Sequence, residues 1–226
     1  MSHAACARRL LRAHRYGALC TLSKKLQGFP FGSITPYAVD HDGSLLILIS
    51  ALAEHTKNIR HDSRVSLITH NPHDAAIQMQ ERVTVTGHAQ PLGSTPHARY
   101  LSLFPEAAEL LTLDFSFYRI QPAAIRYIGG VGSIHWISMD DYAIAQADAF
   151  AKQESSLLDI INQPDSACRQ LLQAGGAADA RIIAFDCDGL DILRQNQIQR
   201  IDFSGTLTAP EQIRSLSASN FRQLSA

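Results

Sequence analysis

The chain has 226 residues, 46% hydrophobic and 18% charged, with 20 basic against 21 acidic side chains. That is an ordinary globular composition, long enough for one large domain or two modest ones. A net charge near −1 excludes a dedicated nucleic-acid binder, and no apolar run approaches the ~18 residues that suggest a membrane span.

"ACARRLLRAH" reads as a short amphipathic helix. "YGALCTLS" and "PFGSITPYAVD" follow as a hairpin around the polar turn "KKLQG", and "HDG" turns into the strand "SLLILIS". The segment from about Ala53 to Arg60 reads as one to two helical turns, and Arg64 to Thr69 as the next strand. "NPHDAAIQMQ" reads as a loop and "ERVTVTGHAQPL" as a strand. In "STPHARYLSLFPEAAELL", Ser94 or Thr95 is the expected cap of two short helices broken at Pro105. "FSFYRIQPAAIRYIGG" and "SIHWIS" supply two more strands. About six strands with one helical excursion suggest a small closed barrel.

From about Asp148 the texture changes: two helices, strands around "DCDG", the strand "QRIDF" and a final helix in "APEQIRSLSASNFRQL". The expected division is a barrel domain over residues 1–145 and a small α+β domain over 146–226. Cys6, Cys20, Cys168 and Cys187 form no CxxC pair and read as reduced thiols. The charged N-terminus does not read as a signal peptide, so the expected location is the cytoplasm.

Period-two alternation in "ERVTVTGHA" puts Arg82, Thr84, Thr86 and His88 on one face. In "FGSITPY" it aligns Ser33, Thr35 and Tyr37 opposite Ile34. Two hydroxyl-bearing faces beside a helix start carrying Thr56 and Lys57 suit an anion such as phosphate; solvent-facing strand residues explain the same pattern. Lys57, Arg60, His61 and Arg64 form a cationic stripe, and His55, Thr56 and Asn58 are either ligand groups or caps. "YIGGVGS" is not followed by a helix, which excludes a dinucleotide-binding reading. None of the ten histidines shows metal-ligand spacing, and no triad or carboxylate pair stands out.

"RYGALCTLSKKLQGFPFGSITPYAVDHDGSLLILISALAEHTKNIRHDSRVSLITH", "ERVTVTGHAQPL", "ARYLSLFPEA" and "DFSFYRIQPAAIRYIGGVGSIHWI" together resemble the pyridoxamine 5'-phosphate oxidase-related split barrels. The resemblance is closest to the haem-utilisation branch, in which a C-terminal α+β domain follows the barrel. It implies an α+β chain with a split β-barrel of the FMN-binding type. It also implies a homodimer with a small-molecule cofactor at the interface, and no nucleic-acid or membrane partner. FMN is the cofactor implied first, in an oxidoreductase-like role. Ser50, His55, Thr56, Lys57 and Asn58, with Arg82 and Thr84, take the positions that hold its phosphate, and Ser33 and Thr35 join them from the strand pattern. Haem binding or breakdown in iron acquisition is the alternative, with His55 and His135 as ligand candidates, and a non-enzymatic binding or regulatory module is a third. Two departures stand out. No His occurs after His135, whereas branch members carry their haem ligand near the C-terminus. Where relatives read His-Met-Asn-x-Asp-His this chain reads "IINQPD", with Ile160 and Asp165 in place of both histidines. An Arg-containing substrate segment typical of the vitamin B6 oxidase is missing as well.

Overall fold

The structure, a computed structural model, describes residues 2–71, 79–95 and 97–222. These fall into two compact units, Ser2–Ala143 and the described residues from Ile144 onward. The first contains α1 (His3–Ala13), β1 (Tyr16–Leu22), β2 (Pro30–Pro36), β3 (Ala38–Val39), β4 (Leu45–Ser50), α2 (Glu54–His61), β5 (Arg64–His70) and β6 (Glu81–Gly93). It continues through α3 (Ala98–Leu103), α4 (Ala107–Leu110), β7 (Phe115–Gly129), β8 (Ile134–Ile137) and α5 (Met139–Tyr142).

The strands form one antiparallel sheet in the order β2-β1-β5-β6-β7-β4-β3, with β8 paired to β7. β2 runs into β3 through Tyr37, so the two ends of this path adjoin in the chain and the sheet is a curled half-barrel. Successive residues point to opposite faces. The register therefore stacks Leu19, Leu67, Val85, Ile125 and Ile137 in one buried cross-strand row, continuous with Ser33 on β2. One residue over, the outer row reads Ile34, Ala18, Ile68, Thr84, Arg126, Trp136.

Both ends of the half-barrel carry a helix. At one, Ser2 caps α1 by accepting from the Ala5 N–H at 3.2 Å, and Ala4, Ala7, Leu10 and Leu11 enter the core. The buried Tyr37 hydroxyl donates to the Leu11 carbonyl at 2.8 Å and fixes that helix in place. At the other, α2 spans from the end of β4 to the start of β5.

The second unit packs α6 (Ala147–Ile161) and α7 (Ala167–Ala174) with a three-stranded sheet of β9 (Arg181–Asp186), β10 (Gly189–Arg194) and β11 (Gln197–Asp202). Its core includes Phe150, Leu157, Ile161, Leu172, Phe185 and Leu190. Arg200 is buried between Asp186 and Asp191, at 2.8 and 3.0 Å.

Five expectations change. The small closed barrel is a curled half-barrel, because the ladder path ends at β2 and β3 and these two strands do not pair. "PFGSITPYAVD" is two strands broken at Tyr37. The residue capping α3 is His97, with no side-chain cap bond, not Ser94 or Thr95. α5 is an addition, capped by Ser138. The final helix is replaced by two 3-10 turns, Pro210–Ser215 and Ala218–Asn220. There the polar side chains bond to nearby backbone: Gln212 Oε1 accepts from the Thr208 and Ala209 N–H groups, and Asn220 Oδ1 from Ser217. Local bonds of this kind compete with an α-helix. Most of the loop expected at residues 71–80, and the last residues of the expected final helix, lie outside the described residues.

Gly87 sits at a bulge in β6 where the register with β7 shifts. A Cβ there would lie 2.1 Å from the Gln121 carbonyl oxygen, whereas one on Gly32 would meet nothing within 4 Å. Gly87→Ala is expected to destabilise the chain by about 2 kcal/mol or more, and Gly32→Ala by far less. Urea midpoints at unchanged slope measure both.

Candidate functional site

The segment that leads the sequence reading, Ser50 through Asn58, is occupied mostly with its own architecture. Thr56 is fully buried and donates to the Ser50 carbonyl at 2.6 Å. Asn58, equally buried, donates to Thr21 Oγ1 and accepts from the Lys24 N–H, both at 3.0 Å. The Ser50 hydroxyl donates to Asp114 at 2.6 Å. Lys57 is exposed, 3.9 Å from Glu54. Thr35 is buried, its hydroxyl 3.3 Å from the Pro36 carbonyl.

His55 differs from these. Its Nδ1 lies 3.1 Å from the Ser33 hydroxyl, and its buried Nε2 has no hydrogen-bond partner. Burial lowers its pKa, so the ring stays neutral near pH 7.

Arg82 and Thr84 lie elsewhere. Both are half-buried on the outer face, opposite His70 and Ile68, whereas Ser33 and Thr35 share the inner face of β2 with buried neighbours. Arg82 is six residues along β5 from Arg64, where α2 has just ended, a span of about 20 Å. Within one chain the structure therefore does not bring Arg82 and Thr84 together with the α2 segment. His135, the other haem-ligand candidate, stacks on His3 at 3.5 Å between ring centroids, with Nε2 3.1 Å from the Ser133 hydroxyl. On β8 it stands opposite the buried Tyr127, away from the outer row.

What the outer face does hold is two depressions that straddle β1 and β5. One, about 580 Å³, is lined by His14, Arg15, Tyr16, Ala18, Ile34, Ile68 and His70. The other, about 420 Å³, is lined by Cys20, Leu22, Arg64, Ser66, Thr86 and His88. Arg64 is engaged bidentately by Asp62, at 2.6 to 3.2 Å.

One of the two histidines in the larger depression is His70. Its Nδ1 lies 3.0 Å from the Asn71 carbonyl oxygen. A carbonyl only accepts, so Nδ1 bears the proton, and the neutral ring keeps its lone pair at Nε2. That is the tautomer of a metal-ligating imidazole with a backbone second partner. Further along the same face, the Arg126 guanidinium lies 5.2 Å from the centroid of the exposed Trp136 ring.

In the second unit, the stretch "IINQPD" is structural. Asn162 donates to the Leu158 and Ile182 carbonyls and accepts from the Ile182 N–H, which ties α6 to β9.

Comparison with known proteins gives three findings. The family model described as CREG, beta-barrel matches residues 1–144. The non-canonical heme oxygenase HOZ, chloroplastic, of Arabidopsis thaliana is 32% identical over 165 residues, 69% of this chain and 50% of the relative, so the chain spans half that protein's length. Two solved structures share the fold. The protein Atu2129 of unknown function from Agrobacterium tumefaciens is 23% identical, with a TM-score of 0.74 over 94% of this chain and 92% of that one. A heme binding protein from Mycobacterium smegmatis is 24% identical, with a TM-score of 0.58 over 95% and 94%.

Asn58→Ala costs about 1–3 kcal/mol of stability, because it strands the Lys24 N–H and removes the donor to Thr21 Oγ1. Chemical denaturation measures it. His55 adds a pH dependence. Its pKa is lowered in the folded state, so the unfolded chain binds more protons below about pH 6.5 and stability falls as pH drops through that range. His55→Gln flattens this part of the stability curve between pH 5 and 7, as followed by thermal melts.

Proposed function

The chain belongs to the CREG β-barrel family, with the split-barrel fold of the pyridoxamine 5'-phosphate oxidase type, and on that premise we propose that it binds haem in the service of haem breakdown. The ligand sits against the outer face of the sheet, between two copies of the chain. The observation that carries this reading is His70. With Nδ1 turned to the Asn71 carbonyl, it offers Nε2 at the wall of a depression of about 580 Å³ that Tyr16, Ala18, Ile34 and Ile68 also line, together with His14 and Arg15. Imidazole nitrogen is a common axial ligand of haem iron, and Ile34, Ala18 and Ile68 present one level row to a planar macrocycle. Arg82, opposite His70 in the register, is a cation on the same face that would suit a propionate. Bound haem supplies iron redox chemistry, and these residues supply ligation, apolar contact and countercharge. The Arabidopsis relative, named as a heme oxygenase, supports the same ligand.

The missing histidine beyond His135 does not weaken this arrangement, because His70 serves a site on the sheet itself. A second copy across this face accounts for the exposure of Ile34 and Trp136, which are unusual side chains for an open sheet surface.

A second reading keeps FMN as the ligand and an oxidoreductase-like role. The smaller depression favours it, since Arg64, Ser66 and Thr86 are donors suited to a phosphate. Arg64 already pairs with Asp62, which reduces the positive charge left for a phosphate.

Titration of the purified chain with haem is expected to give a saturable Soret band that His70→Ala shifts or abolishes. His55→Ala and His135→Ala are expected to leave it unchanged. A band lost with His55→Ala and kept with His70→Ala contradicts the outer-face site, and saturable FMN binding without haem binding selects the second reading. By light scattering the chain is expected at twice its monomer mass, reduced to monomer in Ile68→Arg.

A further inference from the structure

We propose that the end of the first unit crossed by α2 docks on an anionic lipid bilayer surface. Single exposed apolar side chains are ordinary, but here four large ones gather at one end. Leu26 is 53% exposed, Phe29 70%, Leu52 75% and Leu113 64%. Leu26 and Phe29 sit on the turn between β1 and β2. The pairing of β1 with β5 stops at Thr21, so residues 23–29 extend beyond the neighbouring strand.

That turn is built to hold its shape. The Ser23 N–H donates to the Phe29 carbonyl at 2.9 Å, the Gly28 N–H to the Ser23 carbonyl at 2.8 Å, and the Leu26 N–H to the Ser23 hydroxyl at 3.1 Å. Its two apolar side chains are thus presented in a fixed arrangement, which reduces the ordering cost of insertion. The bond from the Lys24 N–H to Asn58 fastens the turn to α2. Leu52 and Leu113 are joined at the same end by Asp114, which accepts from the Leu52 N–H at 3.2 Å and from Ser50.

Around these side chains stand Lys24 and Lys25 on the turn, and Lys57, Arg60 and His61 on α2, all exposed. The residues at 57, 60 and 61 share one helix face. Of the carboxylates on the same elements, Glu54 lies near Lys57 and Asp62 pairs with Arg64, while Asp114 keeps its charge, bonded to the Ser50 hydroxyl and the Leu52 N–H. Basic side chains flanking projecting apolar ones suit an anionic bilayer, where the cations meet phosphate headgroups and the apolar groups enter the boundary region. A second copy on this end would set like charges against each other. Only Phe29 of the four has a ring for stacking on bases, whereas a single strand is held by stacking platforms for successive bases, which disfavours a nucleic acid. No helix among the described residues is long and apolar enough to cross a membrane, so the contact is with the surface.

The test is co-sedimentation of the full chain with vesicles of phosphatidylcholine alone or with 30% phosphatidylglycerol, at low salt and at 0.5 M NaCl. Binding is expected only to the anionic vesicles, and salt weakens it. Lys24→Glu with Lys25→Glu, and separately Leu26→Asp with Phe29→Asp, are each expected to lower the partition coefficient by about tenfold or more. Because all four side chains are exposed, thermal melts of both variants are expected to match the parent. Equal binding to neutral vesicles, no binding at all, or binding unchanged in both variants overturns the proposal. So does a dimer mass that falls to monomer in the Leu26→Asp, Phe29→Asp variant, since the turn would then contact a second copy.

Discussion

Everything in the first unit follows from the strict alternation of side chains along antiparallel strands. One residue of offset separates the buried row Leu19, Leu67, Val85, Ile125 from the outer row Ala18, Ile68, Thr84, Arg126. A polar group on one row cannot meet a polar group on the other without passing through the sheet. This places Ser33 and Thr35 on the inner face, and Arg82, Thr84 and His70 on the outer face. It also explains why α2, which looks like a ligand cradle in sequence, spends its hydroxyl and amide on closing one end of the half-barrel.

Much of this was legible in the sequence. Helix α2, the strands and the pair of helices broken at Pro105 follow from periodicity and turn chemistry, because each is specified locally. The break at Tyr37 was not read there, although Pro36, which has no N–H for a ladder bond, directly precedes it. The site was legible in part. Alternation put Arg82 and Thr84 on one face of β6, and they do share the outer face. It also put Ser33 and Thr35 on one face of β2, but period two alone does not say which face of a strand is the inner one. His70 was within reach: continued from Arg64, the alternation gives Arg64, Ser66, Ile68 and His70 outward, with His70 one residue past the expected strand end. What sequence could not supply is its tautomer, which rests on one contact to the Asn71 carbonyl.

The second unit is tied together by polar groups as well as by its apolar core. The Arg200 side chain, only 7% exposed, meets Asp186 and Asp191, and Asn162 links α6 to β9 by one bond to the helix and two to the strand. The charge of the neighbouring carboxylates outweighs burial and holds the Arg200 pKa well above its ordinary value. Removing one partner of such a buried pair leaves an uncompensated charge, which is why ion pairs of this kind are costly to break even where they add little net stability. Within "IINQPD", Asn162 therefore serves as a structural joint between α6 and β9.

The central claim is that the functional ligand lies on the outer face, beside His70. Methyl NMR of isoleucine-labelled protein during titration with paramagnetic ferric haem tests it most directly. The account predicts that Ile34 and Ile68 broaden first, while Ile47, Ile49 and Ile59 in the core persist. Early loss of the core signals with Ile34 and Ile68 intact would place the ligand on the inner side and contradict it.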